Sequence, residues 1–144
     1  AVVEGAPHRF GTPFLTCARL GQGAFRSLVI DAYGRRCAVT MDKTLPALEA
    51  AHIKPVSEGG HLTVTNGLLL RADLHTLFDA GYVTVTPDYR FKVSPKIREE
   101  YDNGVIYYEL ERELSGQRIH LPRQAAFHPD RAKLEWHSSE RFLA

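Results

Sequence analysis

The sequence predicts a small α+β domain in which helices alternate with short strands. Three observations support this fold class: a helical period of apolar residues in 21–34, short apolar runs separated by turn residues in 35–53, and a second helical stripe that ends at Gly81. At 144 residues and 16.2 kDa the chain suits a single domain. A domain of that size buries enough surface to fold without a disulfide or a structural metal.

The first helix is predicted from the segment GQGAFRSLVIDAYG, residues 21–34. Its apolar positions follow one helical face, and these are Phe25, Leu28, Val29 and Tyr33. Gly34 stands where a helix commonly ends. The opening GQG resembles a phosphate loop but lacks the Gly-Lys-Ser/Thr ending, so we interpret it as the entry turn of the helix.

Short extended segments are expected next. RRCAVT, residues 35–40, and ALEAAHI, residues 47–53, are interpreted as strands or an extended arm on either side of a turn. Pro55 ends the second run, because the residue before a proline is pushed towards extended geometry. Residues 57–67 then provide a glycine turn and a loop.

The second helix is predicted to run from about residue 70 to Gly81. Its apolar face consists of Leu70, Leu74, Leu77 and Phe78. On the opposite face Arg71, His75 and Asp79 follow one another at i, i+4, which brings their Cβ atoms within about 5–6 Å of the next. That spacing suits side chains that bind one small cation.

The remaining sequence carries fewer signals. Residues 82–94 are predicted to form a hairpin, 95–104 a short helix and 105–122 a final extended pair. The C-terminal segment contains three large apolar side chains that either pack on the core or form a partner surface, namely Leu134, Trp136 and Phe142. We interpret residues 1–20 as a tail or linker from an upstream domain, and 21–144 as the folded domain.

Composition and charge exclude some classes of protein. No apolar run approaches the roughly 18 residues of a membrane span, so no membrane partner is expected. Cys17 and Cys37 occur singly, which excludes a disulfide framework within this chain and favours the reducing cytoplasm. The net charge of +1 and pI near 8.0 give weak support to nucleic-acid binding, although the first 44 residues hold six Lys or Arg and only three acids.

Three residues form the clearest constellation: His52 on a strand, Asn66 in a loop and His75 on a helix, separated by 14 and 9 positions. These residues, together with the glycine turn and the segments EAAHIKP, NGLLL and DLHTLFDAGY, make this stretch resemble the HNH nuclease motif of the ββα-metal fold. The resemblance covers about residues 25–95, with the motif core at about 35–81. It is strongest to the C-terminal nuclease domains of bacterial restriction enzymes, including modification-dependent ones.

The resemblance implies a metal-dependent endonuclease that hydrolyses phosphodiester bonds, most simply in double-stranded DNA. Such a domain has a ββα-metal core with flanking helices and short β-hairpins. By resemblance His52 is the general base, a role that suits an imidazole with an unperturbed pKa of about 6.5. Asn66 is expected to anchor the loop and steady the base, and His75 to bind the metal.

The ligand set departs from the commonest family pattern. The family often places Asp or His directly before the base, where this chain has Ala51. Asp79 is the preferred replacement, one helical turn after His75, and Glu49 is the alternative. We expect one divalent ion, Mg²⁺ or Mn²⁺ first, with Zn²⁺ or Ni²⁺ also compatible with mixed imidazole and carboxylate ligands. Without C-x-x-C pairs, the fold should depend on apolar residues such as Leu48, Ile53, Leu69, Leu74 and Phe78.

Basic residues near the motif are expected to contact phosphates: Arg26, Arg35, Arg36, Lys54 and Arg71. Such contacts position a backbone without reading sequence, so target choice is assigned to an upstream domain, and cleavage of both strands makes a homodimer plausible. Two alternatives stay open: a non-cleaving nucleic-acid-binding module, favoured by Ala51, and a toxin-like nuclease acting on RNA or single strands. Four other histidines are expected to be surface or satisfied polar residues, namely His61, His120, His128 and His137.

Overall fold

The computed structural model describes residues 21–102 and 104–144, so the predicted tail over residues 1–20 lies outside the described residues. In chain order the elements are α1 (Gln22–Ala32), β1 (Leu48–His52), β2 (Gly67–Arg71), α2 (Ala72–Ala80), β3 (Val83–Val85), β4 (Phe91–Val93), α3 (Lys96–Glu100), α4 (Val105–Glu113) and α5 (Arg131–Trp136), followed by a π-helical turn (His137–Arg141). Helices thus combine with two small antiparallel sheets. The predicted α+β class is confirmed.

The first sheet and the helix after it form a ββα unit. Strands β1 and β2 pair antiparallel, with Ala51 opposite Leu68 and His52 opposite Gly67. Both α1 and α2 contact this sheet. Because the ladder is covered on both sides, Leu68, Leu69 and Leu70 are all buried rather than alternating. Helix α2 starts directly where β2 ends, beside the start of β1, and packs against the sheet, so that Glu49 meets His75 and the end of β1 lies near Asp79.

Two of the predicted boundaries in this unit are wrong. The second helix starts at Ala72 and not near residue 70, because Leu70 pairs with Glu49 in the ladder. Residues 35–40 form turns and not a strand: Arg35 has a φ of 60°, and the amide of Cys37 donates to Asp42 rather than to a neighbouring strand. The segment touches the sheet at two points: the amide of Ala38 donates to the carbonyl of Leu69, and Sγ of Cys37 accepts from the amide of Arg71.

The predicted extended pair over residues 105–122 is also wrong. Residues Val105–Glu113 form helix α4, since the good helix formers of LERE outweigh the β-branched start. Its one buried residue is Leu110. Only the end of the region is extended, where Gln117 accepts from Phe91 and the amide of Ile119 donates to Tyr89.

The other predicted elements are confirmed. Helix α1, the β3–β4 hairpin and the short helix α3 lie where expected, and the five predicted core residues are buried. Leu134 of α5 is wholly buried, so the C-terminal segment packs on the core at this position. Within residues 21–102 and 104–144, no helix has both the length and the apolar character needed to cross a membrane.

Candidate functional site

His52 ends β1 with its ring stacked on Phe25, at a centroid separation of 4.7 Å and an interplanar angle of 13°. Its Nε2 atom is buried and has no hydrogen-bond partner among the described residues. Burial lowers the pKa of His52, with Asp79 opposing that shift and His75 adding to it. The lowered pKa keeps the ring neutral at pH 7, and within the described residues the buried Nε2 lacks the partner that buried polar atoms usually have.

Asn66 fixes the chain that leaves β1. It is wholly buried, and its side chain bonds both polar groups of the Lys54 backbone: Oδ1 accepts from the amide at 3.0 Å, and Nδ2 donates to the carbonyl at 2.9 Å. Nδ2 also donates to the carbonyl of His61 at 2.8 Å, which ties down the far side of the loop. The amide of Ile53 donates to the Asn66 carbonyl. The residues after His52 are thus held from both sides.

His75 lies between two carboxylates. Its Nδ1 is 2.6 Å from Oε1 of Glu49, and its Nε2 is 3.2 Å from Oδ2 of Asp79. The hydrogen bond to Asp79 raises the pKa of His75 most, partial burial opposes it, and Glu49 adds a further rise. Because the two carboxylates face opposite ring nitrogens, a single cation bound at either nitrogen lies beside only one of them.

Asp79 shares a cavity of about 270 Å³ with His52. The other lining residues are Ile53, Pro55, His137 and Arg141. Asp79 thus places a carboxylate at the cavity that His52 lines, and Glu49 does not line this cavity. Ala51, directly before His52, supplies no ligand, since it is wholly buried opposite Leu68.

The donor set fits a metal that keeps much of its hydration shell. In the part of the chain that the structure describes, no three His, Cys, Asp or Glu side chains are arranged to hold one metal ion. His75 and Asp79 therefore offer one imidazole and one carboxylate. Mg²⁺ is commonly bound by one or two carboxylates, with water and substrate phosphates completing the shell. The residues present are compatible with such an ion.

The predicted phosphate-binding residues do not gather at one place. Arg71 makes a two-point ion pair with Asp73, at 2.7 and 3.0 Å. Arg26 lines a separate cavity with Glu49, and Arg36 lines a third one near the end of α1. Arg35 is exposed in the turn after α1. Lys54 lies two residues after His52 in the loop held by Asn66.

Sequence reasoning missed the contribution of the C-terminal turn to this cavity. His137 lines it but is satisfied, as predicted: Nε2 is 2.9 Å from the Phe78 carbonyl and Nδ1 is 2.7 Å from Oγ1 of Thr84. Arg141, from the same turn, was not predicted. No local spacing could have found it, because it follows Asp79 by more than sixty positions.

A family model matches the part of the chain that contains most of these residues. Residues 37–86 match the family model for HNH endonuclease. The matched segment contains His52, Asn66 and His75, so the resemblance predicted from the sequence is confirmed there. Together with the fold, it supports a nuclease.

A solved structure shares the fold of this chain. The solved structure titled "Modification dependent TagI restriction endonuclease" is similar to this chain at 22% identity with a TM-score of 0.55, over 79% of this chain and 36% of that one. At this identity the likeness shows a shared fold. This chain spans about a third of that protein's length. No curated protein matches.

Proposed function

We propose that this chain is the cleavage domain of a restriction-type enzyme, and that it hydrolyses phosphodiester bonds in double-stranded DNA with one divalent metal ion. The observation that carries the proposal is His52 itself, which lines a cavity shared with Asp79 and has a buried Nε2 without a partner in the described part of the chain. A neutral ring in that position suits a general base. The match of residues 37–86 to HNH endonucleases adds support.

In this mechanism His52 accepts a proton from the water that attacks phosphorus. Its lowered pKa keeps the ring unprotonated at neutral pH, so that a lone pair is available. Asn66 acts through position, because its three side-chain bonds fix the loop that follows the base. The expected products are a 5′-phosphate and a 3′-hydroxyl.

His75, through Nε2, and Asp79 would hold the metal. When bound, the ion supplies electrostatic stabilisation of the charge that grows on the phosphate and the leaving 3′ oxygen. Glu49, kept as an alternative ligand on sequence grounds, is better assigned as the acceptor of the Nδ1 proton of His75. An acceptor there fixes the tautomer that leaves Nε2 free to bind metal. We propose Mg²⁺ or Mn²⁺, with Zn²⁺ and Ni²⁺ as compatible substitutes.

The remaining partners are proposals of the same kind. We assign four basic residues to contacts with the DNA backbone: Lys54, Arg26, Arg35 and Arg36. Arg71 could join them only by giving up its ion pair with Asp73 for a phosphate. Target choice is assigned to a further domain, since phosphate contacts read no sequence. Cleavage of two strands by one metal site per chain favours a homodimer. The free, buried thiol of Cys37 is compatible with a cytoplasmic enzyme.

A non-cleaving DNA-binding module is the second candidate. It is favoured by the buried Ala51 and by the absence of a third His, Cys, Asp or Glu ligand within the described ranges. Such a module would keep the scaffold and the phosphate contacts but bind no catalytic ion.

Incubation of the purified chain with plasmid, single-stranded DNA and RNA separates these functions. Each substrate is tested with Mg²⁺, Mn²⁺, Ni²⁺, Zn²⁺ or EDTA. We expect nicked or linear plasmid with metal, no cleavage in EDTA, recovery on adding excess Mn²⁺, and ends that a ligase can rejoin. Binding of duplex without cleavage under any condition contradicts the nuclease, and preferential cleavage of RNA or single strands contradicts the duplex assignment.

A further inference from the structure

Two cations lie over one aromatic ring beside the catalytic cavity. Nζ of Lys54 is 5.3 Å and Cζ of Arg141 is 5.5 Å from the centroid of Trp136. Lys54 follows His52 by two residues, and Arg141 itself lines the cavity that holds His52. The pair therefore adjoins the position where a scissile phosphate would lie.

Neither cation is neutralised within the described residues. Of the lysines and arginines described, Arg71, Lys96 and Arg112 form salt bridges, and Lys54 and Arg141 do not. The indole face stabilises a nearby cation by about 0.5–1 kcal/mol at exposed sites, but it carries no negative charge that neutralises either group. An anion that contacts both cations would neutralise them.

The backbone under both cations is held by the motif. The amide and carbonyl of Lys54 are both bonded to Asn66, and an added Cβ at Gly60 would lie 1.8 Å from the Lys54 carbonyl oxygen. On the other side, Gly81 ends α2 with a φ of 86°, and an added Cβ there would lie 2.3 Å from the Arg141 carbonyl oxygen. Close approach at two glycines thus holds the backbones of Lys54 and Arg141 in place relative to β1 and α2.

We propose that Lys54, Arg141 and Trp136 form a binding site for one backbone phosphate of the nucleic acid, at the edge of the His52 cavity. The inference rests on the proposed function and deepens it, because it assigns the C-terminal turn to substrate binding. Arg141 supplies a planar fork that matches phosphate oxygens, and Lys54 supplies a point charge. Trp136 aligns the two cations.

Metal-free binding tests the site without cleavage. Affinity for a short labelled duplex is measured in EDTA by fluorescence anisotropy across a series of salt concentrations. We expect Arg141→Gln and Lys54→Gln each to weaken binding about tenfold and to reduce the salt slope by up to about 0.9, the share of one phosphate. Because they serve one phosphate, the double variant should lose less than the product of the single losses. Arg112→Gln, at an exposed arginine on α4, is the matched control and should change neither quantity.

The single tryptophan of the chain gives an independent readout. Duplex bound between the two cations should change the emission of Trp136, and the change should vanish in the double variant. Thermal unfolding checks the fold of each variant. If Arg141→Gln unfolds, Arg141→Lys replaces it, and we expect that variant to keep the emission change while binding the duplex more weakly.

The failures of the two proposals are distinguishable. A wild-type chain that cuts with metal, combined with variants that keep the wild-type affinity, salt slope and emission change, overturns the phosphate site and leaves the nuclease. Strictly multiplicative losses in the double variant overturn the shared phosphate. A wild-type chain that neither binds nor cuts nucleic acid overturns both.

Discussion

His52 and His137 line the same cavity, but their hydrogen bonding differs. His137 is 2% exposed, both of its ring nitrogens are bonded, and it stacks on Phe78 at 3.6 Å. His52 also stacks on a phenylalanine, but its Nε2 has no partner in the described part of the chain. His137 joins the C-terminal turn to α2, whereas Nε2 of His52 makes no hydrogen bond within the described residues.

The direction of the pKa shift does not distinguish the two residues. Burial is the largest cause in both, and it lowers the pKa of each ring below its ordinary value. What differs is hydrogen-bond completeness, because a satisfied imidazole must break a bond before it accepts a proton. A neutral, buried histidine is therefore a candidate base only where one nitrogen remains free.

The largest effect on activity is expected at His75, the proposed metal ligand. His75→Ala removes the imidazole of the proposed metal site, so cleavage should fall by more than about 100-fold, beyond the typical cost of an outer-shell change. Duplex affinity in EDTA should stay at the wild-type value. Cleavage at the wild-type rate, measured at limiting Mn²⁺, would remove His75 from the site.

The largest effect on stability is expected at His137. Replacing it by Ala removes a stacked ring and two buried hydrogen bonds, which should lower the free energy of unfolding by about 3 kcal/mol. Urea denaturation measures the loss. Well below the unfolding midpoint, the variant should still cleave within a few-fold of wild type. An unchanged stability together with lost cleavage would make the two histidines equivalent and contradict the comparison.

The pH dependence of stability sharpens the same contrast. Burial lowers the pKa of His137 from 6.5 to about 4, with Arg141 adding to the shift and Asp79 opposing it. The unfolded chain then takes up a proton before the folded one, so stability present above pH 6.5 is lost as the pH falls towards 4, by roughly 3 kcal/mol. The raised pKa of His75 acts in the opposite direction, with a stabilisation present below pH 6.5 that is lost as the pH rises through its folded value.

His137→Gln isolates the first contribution, because the His75 contribution is common to both proteins. Denaturation curves at several pH values should show a steeper acid loss for wild type than for the variant. Parallel curves would mean that His137 titrates normally.

A smaller effect is expected at Glu49. If it orients His75 from the side away from the cavity, Glu49→Ala should weaken metal binding by about 10–100-fold without abolishing cleavage at saturating metal. Isothermal titration with Mn²⁺ measures the affinity. Glu58→Ala, at an exposed carboxylate in the loop before Asn66, serves as the control and should change neither the metal affinity nor the cleavage. Complete loss of cleavage at saturating metal would instead make Glu49 a ligand.

The sequence predicted the contacts that depend on local spacing. His75 and Asp79 meet because they are one helical turn apart, and Asn66 acts on a backbone only twelve positions away. Arg141 reaches the cavity through long-range packing, which no spacing encodes.

Tertiary contacts also explain the errors of secondary structure. Leu70 fits a helical stripe, but pairing with Glu49 in the ladder places it in β2. In Val105–Glu113 the β-branched start favoured a strand, and the later helix formers decided the outcome.

The single-turnover cleavage rate of His52→Ala tests the central claim most directly. It is measured with Mg²⁺ and Mn²⁺ beside wild type and His61→Ala, a matched control at an exposed histidine of the neighbouring loop. Removing the proton acceptor should slow cleavage by about 100-fold or more, while duplex affinity in EDTA and the free energy of unfolding change little and His61→Ala stays near wild type. Cleavage by His52→Ala at the wild-type rate would contradict the assignment of its free nitrogen as the base.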